Sequence, residues 1–197
     1  MAGRVMMADG KAFVLIVDND PAIRFSLCQI LRHTGHWVRT AEDGFVALQE
    51  INDGVPDVLV SDLNMPRMSG FELLSVVRRR FPSVYVIGMT GAFVDRLPPG
   101  IAADAFYRKA SGITVLLDLI RDGLGMEIES VLSERRTTPI WVPAVPDTGA
   151  RGSQVFLGCP ECLRAFPTEV PVIGLPQKTS CAYCLAPINF AVVEQYA

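Results

Sequence analysis

Two groups of side chains in this sequence have the types and spacing to do chemistry. The first is Cys159-Pro160-Glu161-Cys162 and Cys181-Ala182-Tyr183-Cys184, two C-x2-C pairs with 18 residues between them. That spacing suits a four-thiolate metal site, in which each pair grips one face of a tetrahedral ion and the second pair completes the shell. A complete shell leaves no position for a substrate, so Cys159, Cys162, Cys181 and Cys184 are expected to hold Zn²⁺, or another thiophilic metal such as iron, in a structural role. The second group is polar and dispersed: Asp18, Asn19 and Asp20, then Asp62 and Asn64, then Thr90, then Lys109. Two or three carboxyl-type oxygens make a hard-cation site for Mg²⁺, and a carboxylate can attack phosphorus. A lysine and a hydroxyl beside them would neutralise a phosphoryl group in transfer.

For the second group to act together, elements must bring it to one point, and the sequence supplies them. Short apolar runs alternate with longer amphipathic stretches from Phe13 to about Gly123, the rhythm of βαβ units around a parallel sheet. Strands are expected at Phe13 to Val17, Trp37 to Thr40, Val58 to Ser61, Val84 to Met89 and Ala105 to Tyr107. The first, third and fourth are near-continuous apolar runs of the kind buried on both faces. Asp20-Pro21 reads as an N-cap and first-turn proline for a helix over about 21–34, closed by Gly35. Further helices are expected near 43–52, 70–80 and 112–122, with a short one between Thr90 and Ala103, where Pro98-Pro99-Gly100 intervenes. In such a sheet ligands bind at the carboxyl ends of the strands, and Asp18, Asp62, Thr90 and Lys109 all fall there.

These residues resemble the receiver domain of bacterial response regulators, over about Phe13 to Gly125. The resemblance implies a flavodoxin-like, doubly wound five-stranded parallel sheet of order 2-1-3-4-5. Asp62, in Asp62-Leu63-Asn64-Met65-Pro66-Arg67-Met68-Ser69-Gly70, matches the phosphoaccepting aspartate and its proline-containing loop. By the same resemblance the backbone carbonyl of Asn64 binds Mg²⁺, Thr90 reaches for the phosphoryl group, Lys109 contacts it, and Phe106 is the switch aromatic. The implied partner is a sensor histidine kinase or phosphotransfer protein. Two departures stand out: Asn19 follows Asp18 where the family has a second acid, which removes one negative charge that Asp20 partly restores. Ala110 follows Lys109 where the family commonly has proline, so a cis peptide is not expected there. Asp18-Asn19-Asp20 also resembles the D-x-D of haloacid-dehalogenase-type phosphohydrolases, but that reading leaves Asp62-x-Asn64-Met65-Pro66 unexplained and finds no downstream acidic pair.

After about residue 134 the texture changes to Pro, Gly and Thr with few periodic apolar positions, and 134–153 reads as a linker that Trp141 could dock. The expected organisation is an N-terminal extension over 1–12, a receiver over 13–133, the linker, and a small β-rich zinc-ribbon domain over 154–197. A metal supplies the stability that so short a module cannot draw from its own core. Cys28, on the apolar side of the first helix, reads as an inert thiol.

The whole chain has 197 residues, 50% hydrophobic, with a net charge of −3, which indicates an ordinary globular protein and argues against coating of nucleic acid by bulk charge. From Ser153 onward, Arg164 and Lys178 face Glu161, Glu169 and Glu194, a net of −1, which disfavours a DNA-binding output and favours an unidentified protein partner. No apolar run approaches the length of a membrane span and no secretory signal is legible, so a cytoplasmic location is expected, with a homodimer compatible. The sequence therefore reads as a phospho-switch that signals through a zinc ribbon. An unphosphorylated pseudo-receiver scaffold whose ribbon binds the partner is the alternative.

Overall fold

The structure is a computed structural model that describes residues 11–91, 102–125, 139–143, 154–169 and 175–193. Five parallel strands form the main sheet: β1 (Phe13–Val17), β2 (Trp37–Ala41), β3 (Val58–Asp62), β4 (Tyr85–Thr90) and β5 (Ala105–Arg108), in the order β2-β1-β3-β4-β5. The expected order 2-1-3-4-5 is what the chain adopts. The register sets Val14 beside both Val38 and Val58, Val58 beside Tyr85, and Ile87 beside Ala105, so every strand ends at the same edge. Strand order reverses between β1 and β3, and the crevice there lies beyond Asp18 and Asp62.

The helices close as their termini predict. Helix α1 (Pro21–His33) starts at Asp20, whose Oδ1 accepts from the N–H groups of Ala22 and Ile23. Helix α2 (Gly44–Asp53) is capped by Asp43 through Val46 N, and α3 (Gly70–Arg80) by Ser69 through Glu72 N. Helix α4 (Ile113–Gly125) follows β5 and matches the last helix expected from sequence. The short helix expected between Thr90 and Ala103 falls on residues 92–101, outside the described residues. Helices α1 and α4 cover one sheet face, around Val14, Ile16, Ile87, Leu116 and Ile120, and α2 and α3 cover the other, around Leu15, Leu59, Leu73 and Val86.

The second, small β-rich unit carries the cysteines. Strands β7 (Gln154–Gly158) and β8 (Ala165–Glu169) pair antiparallel. Strand β10 (Pro187–Val193) pairs antiparallel with β9 (Pro176–Ser180) and parallel with β6 (Ile140–Pro143). Of the stretch read as a linker, residues 139–143 are described, and Ile140–Pro143 are a strand of this unit's sheet. Its apolar side continues the α2/α3 core: Ile140, Val142, Val155, Leu157, Phe166, Ile188 and Phe190 belong to the same buried cluster as Leu73 and Val76. Helix α3 is consequently buried on nearly all sides, Glu72, Ser75 and Arg78 included.

Candidate functional site

The acidic crevice is built by three strand ends. Asp18 closes β1 and is fully buried, and Asp62 ends β3 at 5% exposure. Lys109, just past β5, sets its ammonium between them, with Nζ 2.7 Å from Asp18 Oδ2 and 2.8 Å from Asp62 Oδ2. Burial alone would lower the pKa of that ammonium, but the contacts with Asp18 and Asp62 and their charges outweigh it and hold the group above the usual lysine value.

Backbone groups fix both carboxylates. Asp18 Oδ1 accepts from Asp20 N at 2.8 Å, and the Arg24 guanidinium donates to the Asp18 carbonyl at 2.6 Å. Asp62 Oδ1 accepts from Asn64 N at 3.1 Å. Leu63 N donates to Met89 O and Lys109 N to Thr90 O, each at 3.0 Å, which ties the loops after β3 and β5 to the end of β4. Gly70 is required where α3 begins, because a Cβ there would overlap the carbonyl oxygen of Asp62. Arg67, in the left-handed region at φ 68°, pairs with Asp43 and Glu42 and anchors the outer side of the loop.

Of the residues singled out from sequence, Asp18, Asp62 and Lys109 are in direct contact. Thr90 sits half-buried at the end of β4, beside Arg108 in register. Asn19, Asp20 and Asn64 are exposed at the rim, and Asp20 uses Oδ1 as the α1 cap. Phe106 is 36% exposed, its ring against Gly88, where a Cβ would lie 3.0 Å from two ring carbons. The donor set suits a hard cation such as Mg²⁺. Two carboxylates already converge on a cationic group, and the fully buried Asp18 meets the Lys109 ammonium through Oδ2 at 2.7 Å. The Asn64 carbonyl and Asn19 amide would add neutral oxygens.

The four cysteines converge. All four Sγ atoms lie within 4.8 Å of one another, with Cys159–Cys184 at 3.6 Å and Cys162–Cys181 at 3.7 Å. A tetrahedron with Zn–S bonds of about 2.3 Å has S–S edges of about 3.8 Å, whereas a disulfide needs about 2.05 Å. The two turns are alike: Leu163 N donates to Cys159 O and Leu185 N to Cys181 O, and both leucines have positive φ, 57° and 61°. Burial pushes the Cys159 thiol up to about 12, whereas hydrogen bonds from the backbone N–H groups of Cys184 and Tyr183 and from neighbouring thiols bring Cys181 down to about 7 against its burial. The residues fit a tetrahedral thiophilic ion.

Sequence reasoning missed Glu72, Met68 and Gly158. Ser69-x-x-Glu72 has the form of a capping box, in which Glu72 would turn back to the Ser69 N–H. Instead Glu72 Oε1 accepts from Gly158 N, across in the cysteine unit, at 2.5 Å. The signal that pointed there was helix α3 itself, whose Phe71, Leu73, Leu74, Val76 and Val77 occupy more than one face.

Comparison with known proteins agrees with the fold of the five-stranded unit. The family model described as response regulator receiver domain matches residues 14–105. The DNA-binding transcriptional regulator NtrC of Proteus hauseri is 38% identical over 80 residues, 41% of this chain and 17% of that protein, so the chain spans about a sixth of that relative. The chemotaxis response regulator CheY4 of Vibrio cholerae is 30% identical with a TM-score of 0.52, covering 57% of this chain and 98% of that one. The response regulator TrrA of Thermotoga maritima, solved in complex with Mg²⁺-BeF, is 28% identical with a TM-score of 0.54, covering 56% of this chain and 97% of that one. TrrA has also been solved in complex with the histidine kinase ThkA.

Proposed function

The chain belongs to the response regulator receiver family of two-component signalling, and from that premise we propose that Asp62 accepts a phosphoryl group in a Mg²⁺-dependent reaction. The donor is a sensor histidine kinase or a phosphotransfer protein, as the ThkA–TrrA complex illustrates for a relative. The observation that carries this reading is the single ammonium of Lys109 held 2.7 and 2.8 Å from two strand-end carboxylates. In the transfer a carboxylate oxygen of Asp62 forms the bond to phosphorus, the P–N bond to the donor imidazole breaks, and the imidazole leaves with its electron pair and takes up a proton. Lys109 then faces the phosphoryl oxygens, and the hydroxyl of Thr90, which ends β4, is proposed to approach them. Bound between Asp18, Asp62, the Asn64 carbonyl and Asn19, Mg²⁺ would supply charge neutralisation for those oxygens. Phe106, in its shallow seat on Gly88, is the proposed reporter of that movement.

Structural Zn²⁺ on Cys159, Cys162, Cys181 and Cys184 completes the reading, and the unit it organises contacts a partner protein. Among the described residues no helix is long and apolar enough to cross a membrane. Asn19, and the use of Asp20 as a helix cap, favour a second reading in which the receiver is an unphosphorylated scaffold. A phosphohydrolase with Asp18 as nucleophile would leave Asp62, paired with Lys109 at 2.8 Å, without a role.

The test is intact mass after incubation with Mg²⁺ and acetyl phosphate. A single phosphoryl adduct is expected on the wild type and none on Asp62→Ala or without Mg²⁺. An unmodified wild type with no Mg²⁺ binding would place the scaffold reading first.

A further inference from the structure

We infer that the cysteine unit supports the loop that follows Asp62, with Met68 as the positioning residue and Gly158 as its seat. The state of the four-cysteine cluster then sets how readily Asp62 is phosphorylated. The inference rests on the phosphoacceptor reading above and adds to it an input, in place of an output alone.

Met68 is fully buried at the end of the Asp62 loop. Its Cγ and Sδ lie 2.7 and 2.8 Å from where a Cβ on Gly44 would stand, and its Cε lies 3.0 Å from the corresponding point on Gly158. One side chain thus spans from the first residue of α2 to the last residue of β7, and glycine occupies both contact positions. Gly158 immediately precedes Cys159, and its N–H donates to Glu72 Oε1. The N–H of Glu72 is in turn capped by Ser69, the neighbour of Met68. A second tie runs from Trp141 N of β6 to Ser75 Oγ, one turn further along α3.

Besides the Arg67 pairing on its outer side, the loop is therefore anchored at both ends. Asn64 N on Asp62 Oδ1 holds its start, and the first cysteine turn holds its end. A close-packed interior with no slack passes a displacement of Gly158 to Met68 and on to the Asn64 end. Loss of metal from the cluster releases Cys159 and with it the adjacent seat.

The experiment uses the full chain loaded with zinc and compares wild type, Gly158→Val, and Gly158→Val with Met68→Ala. The valine methyls would press on Met68, Val76 and Glu72, whose nearest atoms already lie at 3.0, 3.3 and 3.5 Å from a Cβ on Gly158. With zinc stoichiometry unchanged, Gly158→Val is expected to slow adduct formation from acetyl phosphate roughly fivefold. It should also shift the backbone amide resonances of residues 63–69. Met68→Ala in the same chain clears the space and should return both toward wild type, while zinc removal from the wild type should move the same resonances. A zinc-replete Gly158→Val with wild-type rate and unmoved resonances would overturn the inference, as would a double variant no closer to wild type than the single. If Gly158→Val does not fold, the resonances of the wild type with and without zinc decide. If the wild type takes no phosphoryl group, the phosphoacceptor reading fails on that result while the resonances still decide whether the cysteine unit positions the loop.

Discussion

At the scale of single residues, Lys109 is the balance point of the acidic crevice, because its ammonium pairs with both Asp18 and Asp62. Removing it as Lys109→Ala leaves two buried carboxylates facing each other. Breaking a buried pair costs about 3–5 kcal/mol, and the partial exposure of Lys109 brings the expected loss in chemical denaturation toward about 2 kcal/mol. The same substitution should slow adduct formation at Asp62 far more than it weakens the fold. Its raised pKa fixes the pH range of its support: the contribution is complete below the lysine value of the unfolded chain and is lost as pH climbs beyond it into the strongly alkaline range. Asn19 carries a second expectation at this scale. Asn19→Asp adds one anionic oxygen at the rim and should tighten Mg²⁺ by roughly tenfold in calorimetric titration; an unchanged affinity would place Asn19 outside the metal's reach. These polar roles were legible in sequence because each residue follows an apolar strand and the strand order brings their ends together. The use of Asp20 as a cap was legible too, from Asp20-Pro21, and it competes with a metal-binding role for the same carboxyl.

At the scale of elements, α3 connects the two parts of the molecule, and Glu72 is its most unusual member. Burial pushes the Glu72 carboxyl up to about 8 from an ordinary 4.5, against the opposing hydrogen bond from Gly158. The folded chain thus keeps a proton there that the unfolded chain has released. Stability contributed by this site falls as pH rises from about 4.5 to about 8 and is level above, with a slope of at most about 1.4 kcal/mol per pH unit. Glu72→Gln retains an oxygen for the Gly158 N–H and cannot ionise. Its stability relative to wild type should therefore rise across that range in urea titrations at several pH values, and a parallel pair of curves would contradict this. The cysteine turns make a separate prediction. Leu185 is 76% exposed and holds φ 61°, so Leu185→Gly relieves backbone strain with little burial lost. The gain expected in thermal unfolding is up to about 1 kcal/mol. Sequence periodicity located the strands and helices of the main sheet, since burial on both faces leaves continuous apolar runs. It did not show that Ile140-Trp141-Val142 is a strand, because three apolar residues among prolines fit a tether equally well and the pairing partner, β10, lies some 50 positions on.

At the scale of the whole molecule, one apolar cluster runs from Leu15 and Leu59 through α3 to Ile188 and Phe190, so the receiver and the cysteine unit share a core. A shared core predicts shared unfolding. Calorimetry should show one transition, and stripping the metal should lower its midpoint and also weaken the receiver, with no separate low-temperature melt of the cysteine unit. Two independent transitions would argue against this coupling. The four-thiolate spacing was plain in the sequence, whereas the surface on which the unit packs was hidden, because docking depends on shape and on polar pairs such as Glu72 with Gly158 that no local pattern encodes. The central claim, phosphoryl acceptance by Asp62, is tested most directly by locating the group. Treatment of the modified chain with borohydride reduces an acyl phosphate to the alcohol, and peptide mass mapping then identifies the residue. The account predicts conversion at Asp62 alone, dependent on Mg²⁺; conversion at Asp18 or Asp20, or at none of the three, would contradict it.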